Sequence, residues 1–177
     1  KLYCRWILNW FLMCVTYSDK KCHKQIRLHL YLTPFKKELP KQRGITLSGE
    51  HANSAYTYQC VQPNKIVVFR EEEWFKVIVH ESFHYFQLED FRENSLKAKQ
   101  LFPLPIEIHL GEAYGEFWAR ILTCIYNAYY LSPQPDNEHM VMEHCETLLY
   151  IERMFSCFQA VKILRHMGLR YSEVFHS

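Results

Sequence analysis

From Val77 to Phe86 the chain reads Val-Ile-Val-His-Glu-Ser-Phe-His-Tyr-Phe. A helix built from this run carries bulky apolar side chains all round, so it has to be buried on nearly every side. Two histidines and a glutamate inside such an element are costly unless each has a purpose. This requirement constrains the fold, because the rest of the chain must cover the helix on several faces. With 177 residues, 49% of them apolar, the chain has the material to do so as a single domain spanning residues 1–177.

Hydrophobic periodicity then orders the chain. Trp6 to Val15 is an apolar run too short to span a bilayer and reads as a buried helix. Ile26 to Leu32 alternates like a half-buried strand, which Thr33-Pro34 ends, and the turn-rich stretch 41–64 reads as turns around one or two strands, with β-prone pieces such as Ala55–Tyr58. Ile66–Phe69 is the clearest strand. Helical spacing follows from Glu71 to Glu89, and residues 90–105 read as a connection. A second helix runs from Glu107 to Tyr130, and a third from an Asp136 or Asn137 cap to Met167, with Gly168 placed for a left-handed C-terminal cap. The expectation is an α+β fold: a small mixed sheet in the N-terminal half, packed on the helix that carries the motif and on further helices.

The formal net charge is +2 and no long block of one sign occurs, so neither a nucleic-acid nor a membrane partner is expected. Seven cysteines with no CxxC pair and no recognisable secretory signal suggest reduced thiols and a cytoplasmic location, with Cys124 and Cys157 acting as small apolar side chains. The chain opens on Lys1 and not on Met, which leaves open a preceding piece that carries a targeting segment.

His80 and His84 stand four apart and project one above the other from one helical face, where both imidazoles can reach one metal ion. Glu81 can then take a proton from a water that zinc has acidified. A catalytic zinc site also needs a third protein ligand and an open fourth position. Gly111-Glu112-Ala113-Tyr114-Gly115-Glu116 supplies two carboxylates on one face of the next helix.

HExxH followed by Glu-Ala-x-x-Glu resembles the gluzincin (thermolysin-like) class of zinc metallopeptidases over roughly residues 66–125. The resemblance implies that Glu112 is the third zinc ligand and that Glu116 orients His80 from behind, although the class has Asp where Glu116 stands. It also implies that a sheet edge holds an extended peptide, for which Asn53–Tyr58 is the candidate, an ordinary sheet strand being the competing reading. A narrower resemblance, carried by Phe-Arg-x-Glu-Glu-Trp-Phe-Lys-Val at Phe69–Val77 ahead of HExxH, is to small uncharacterised proteins of large DNA viruses. It implies a virus-encoded protein acting in the host cell, and no activity.

Rival readings remain open at several positions. Asp90 lies six residues after His84, where metzincin-like enzymes place their third ligand, but that arrangement requires a left-handed residue at Gln87, which a glutamine resists. His109 is a further ligand or hydrogen-bond donor candidate. The donor that stabilises an oxyanion would come from His109, His139, His144, Tyr150 or Tyr171. Leu148, Ile151, Phe155, Phe158, Val161 and Leu164 read as a stripe buried in the core, not as a partner surface, and Glu71–Glu73 as a solvated helix start.

Together these readings give the expected function: a zinc-dependent peptidase acting on a peptide or protein, with Zn2+ on His80, His84 and Glu112 and Glu81 as general base. The alternative is a catalytically inactive zincin-fold scaffold that retains zinc. A structural zinc would require a fourth protein ligand.

Overall fold

The computed structural model describes residues 2–22, 26–60, 65–89, 94–101 and 110–174. Helix α1 (Leu2–Tyr17) leads through a 3-10 turn to β1 (Arg27–Thr33), the short α2 (Gly49–Ala52), β2 (Ala55–Thr57) and β3 (Lys65–Arg70). Helices α3 (Trp74–Phe86), α4 (Asn94–Leu101), α5 (Leu110–Tyr130) and α6 (Glu138–Met167) follow. The architecture is α+β, and among the described residues the strands lie in the first half of the chain.

The three-stranded sheet has the order β1-β3-β2. β1 runs parallel to β3, with Leu28 opposite Ile66 and Leu30 opposite Val68, and β2 runs antiparallel, with Tyr56 opposite Val67. The central place of β3 matches its unbroken Ile-Val-Val run, because a strand flanked on both sides and covered by helices has no solvent face to keep polar. Ile66, Val67 and Val68 are all buried. β1 differs from its expected half-buried state: Leu30, Tyr31 and Leu32 are exposed, since nothing among the described residues covers this edge of the sheet.

α3 sits at the centre, as its apolar circumference demands. Ile78, Val79, Tyr85 and Phe86 have no exposed surface, and Phe75, Val77 and Phe83 are buried. α1 contributes Trp6 and Trp10, whose rings lie 5.2 Å from Phe75 and 5.9 Å from Phe83, respectively. α5 closes another side with Ala119 and Tyr126. The large apolar side chains among these, such as Ile78, Val79 and Phe86, each contribute roughly 1.5–3 kcal/mol by leaving water.

α3 is shorter than its periodicity suggests, for a backbone reason at each end. Glu73 takes a left-handed φ of 56° and Gln87 one of 52°, so neither residue continues the helix. Elsewhere the sequence readings need three further corrections. The stretch expected to be a connection holds α4, while the expected helix start at Glu107 lies outside the described residues. Cys22 and Cys60 form a disulfide, against the expectation of reduced thiols, and Cys157 is exposed. The α6 stripe is not core: Ile151, Phe155, Phe158 and Val161 are exposed, because α6 reaches α5 through its opposite face. Among the described residues no helix is long and apolar enough to cross a membrane.

Candidate metal centre

Residues at intervals of four run along α3 as Lys76, His80 and His84, and along α5 as Glu112, Glu116 and Arg120. Each interval is close to one helical turn, so both sets form straight ridges. The two ridges face each other in antiparallel sense: Glu112 lies against His80 and His84, and Glu116 against His80 and Lys76.

At one end of this ladder three donors converge. His80 Nε2 and His84 Nε2 are 3.1 Å apart, and the two oxygens of Glu112 lie 3.4 Å from one and 3.4 Å from the other. Donors held ~2.0–2.1 Å from a shared tetrahedral ion are separated by roughly 3.3–3.4 Å. The spacing of the three side chains therefore fits a metal ion, and the two-imidazole, one-carboxylate set is of the kind zinc takes. Hydrogen bonds from His80 and His84 hold the Glu112 carboxyl well below the usual carboxylate range. Bonding to Glu112, and then to Glu89, pushes His84 up to about 10.

Each histidine has a carboxylate behind it. Glu116 Oε2 lies 3.5 Å from His80 Nδ1, a charge contact without a hydrogen bond. Its Oε1 is engaged by Lys76 Nζ at 2.8 Å and Arg120 Nη2 at 2.6 Å, and Arg120 continues to Glu152 and Ser156 on α6. His84 is held more tightly, with its Nδ1 2.5 Å from Glu89 Oε1. Sequence reading passed over Glu89, Lys76 and Arg120; the repeated interval of four was the available signal for the last two.

Glu89 arrives by way of the turn that ends α3. The Gln87 N–H donates to the His84 carbonyl at 3.2 Å and the Leu88 N–H to the Phe83 carbonyl at 3.0 Å, the paired bonds of a Schellman cap. The left-handed Gln87 reverses the chain, and Leu88 packs on the core. The steric objection to a left-handed Gln87 is thus overturned, although Glu112 is the carboxylate found at the two histidines. Asp90 and His109 lie outside the described residues. Gly111 leaves room for the Glu89 side chain: a Cβ there would lie 3.1 Å from its carboxyl carbon.

Glu81 is buried beside the three donors, and burial raises its carboxyl pKa, with Glu112 adding to the effect while His80 and His84 oppose it. A carboxylate tuned upward is suited to exchanging protons near neutrality. His80, Glu81, His84 and Glu112 line a cleft of about 1260 Å³, walled on one side by edge strand β2 and on another by Phe155, Gln159 and Ile163 of α6. His139, His144, Tyr150 and Tyr171 do not line it, and Tyr150 and Tyr171 are exposed. His51 does line it, with its Nδ1 accepting from the Ser48 backbone N–H at 3.1 Å and its Nε2 3.6 Å from Glu50 Oε1. The chain matches no known family model, no curated protein and no solved structure.

Proposed function

We propose that the chain is a zinc-dependent peptidase. The observation that carries this reading is the convergence of His80, His84 and Glu112 at 3.1–3.4 Å, next to a buried Glu81 on the wall of an open cleft. A zinc ion held by these three residues would supply Lewis acidity, acidifying a water and polarising the scissile carbonyl. Glu81 takes the proton of the attacking water and delivers it to the leaving amine. Glu89 fixes the ring orientation of His84, and Glu116 places negative charge beside His80. β2 pairs with β3 along one edge only among the described residues, which leaves its other edge for an extended peptide to add to the sheet. His51, which lines the same cleft with its Nε2 3.6 Å from Glu50 Oε1, is added as a candidate oxyanion donor.

The test is hydrolysis of a peptide library alongside metal analysis. Wild type should carry about one zinc per chain and cleave, and Glu81→Gln should keep the zinc and lose cleavage. His51→Phe should lower kcat with zinc content unchanged. Cleavage that persists in Glu81→Gln would overturn the reading. A second reading, a zinc-retaining scaffold without turnover, draws support from the four downstream donor candidates all lying off the cleft. It predicts stoichiometric zinc and no cleavage of any library peptide.

A further inference from the structure

α6 carries two unlike faces. One turns to α5, where Cys145 is buried and Glu152 and Ser156 meet Arg120. On the opposite face Ile151, Met154, Phe158 and Val161 are 56, 53, 62 and 62% exposed. Their spacing of three, four and three is that of a coiled-coil seam, and large flexible and aromatic side chains of this kind are the ones enriched in the cores of protein interfaces. Four such residues in a row are costly to leave in water.

The ends of this stripe differ in charge. Two turns before Ile151 stands Glu143, and one turn after Val161 stands Arg165, so the face reads acidic, apolar, basic. Exposed Glu146 and Lys162 reinforce the two ends. The helix dipole accounts for Arg165, which stands in the last turn, but not for Glu143 and Glu146, which lie beyond the first one. A parallel copy would set Glu143 against Glu143 and Arg165 against Arg165. An antiparallel copy sets each Glu143 against an Arg165, with the two-fold axis at Met154, midway between them.

We propose that α6 pairs antiparallel with α6 of a second copy of this chain, making the protein a dimer. The seam lies beside the face that carries Gln159 and Ile163, so the pairing leaves the cleft open. This inference is independent of the metal centre.

Molecular mass from light scattering tests it, at micromolar concentration and with the full chain. Wild type should show twice the chain mass, and the double variant I151E/F158E the mass of one chain with its helical circular dichroism retained. E143K should weaken association about tenfold by replacing two attractions with two repulsions, and E143K/R165E should restore it. The restoring swap alters only exposed charges, so it separates lost association from lost folding. A wild-type mass of one chain, association that survives I151E/F158E, or a swap that does not restore association would each overturn the proposal.

Discussion

His84 shows how much one side chain depends on its neighbours. Its Nε2 faces His80 and Glu112, and its Nδ1 is fixed by Glu89, whose side chain is only 9% exposed. Glu89→Gln keeps the size of the group and removes its charge, so metal affinity should fall about 10–100-fold in a competition titration with a chelating dye. A change within twofold would show that Glu89 does not orient the ring. Glu116→Gln should cost less, since Glu116 stands farther from its histidine and shares its other oxygen with Lys76 and Arg120. Gln87 controls the approach of Glu89. Gln87→Gly should stabilise the fold by up to about 1 kcal/mol in urea denaturation, by relieving the left-handed backbone. Gln87→Val should destabilise it by about 1–2 kcal/mol and weaken metal binding with it.

At the scale of elements, the acidic run that opens α3 is not merely solvated. The Lys37 N–H donates to Glu72, Lys36 Nζ lies 3.3 Å from Glu72, and Glu73 receives Lys37 at 3.0 Å and Lys76 at 3.3 Å. These contacts clamp the segment after β1 onto the start of α3. Burial raises the Glu73 carboxyl pKa, but Lys76 and Lys37 outweigh it and hold the group below its ordinary 4.5. A depressed carboxyl stabilises the fold above its unfolded pKa, and the contribution disappears as pH falls through the lower folded value. The stability lost in Glu73→Gln should therefore be largest near neutral pH and shrink as the pH falls below 4.5 in denaturation measurements. A gap that stays constant with pH would mean that the ion pairs contribute nothing.

Across the whole molecule, the Cys22–Cys60 disulfide closes a loop of 38 residues that contains β1, α2 and β2. It ties two strands of the sheet together next to α3, where the Tyr85 hydroxyl donates to the Cys22 carbonyl at 3.5 Å. The entropy of closing a loop of this length corresponds to about 4 kcal/mol. Cys22→Ser/Cys60→Ser should lose a stability of that order, and a reducing agent should destabilise wild type but not the double variant. An equal response of both proteins to reductant would show that the bond is not formed. The bond also removes the ground on which the thiol pattern suggested a cytoplasmic location.

The sequence by itself determined whatever depends on local spacing. The apolar circumference of Val77–Phe86 required burial of α3, the Ile-Val-Val run marked β3 as a strand, and the intervals of four put His80 with His84 and Glu112 with Glu116 on common faces, while the place of β3 at the centre of the sheet came from the structure. Asn137 and Gly168 marked the ends of α6, where the Asn137 side chain accepts from the Met140 N–H and Gly168 takes a φ of 72°. The tertiary structure decided whatever depends on meetings between distant segments. Glu89 joins His84 only through a left-handed Gln87, a conformation that a glutamine does not announce. Cys22 finds Cys60, and lysines 36 and 37 find the acidic helix start, because the sheet folds back on α3. Apolar residues are spread nearly all round α6, so spacing alone does not say which face meets α5. Here α5 takes the face with Cys145, Glu152 and Ser156, because Arg120 reaches it, and the larger apolar stripe is left outside.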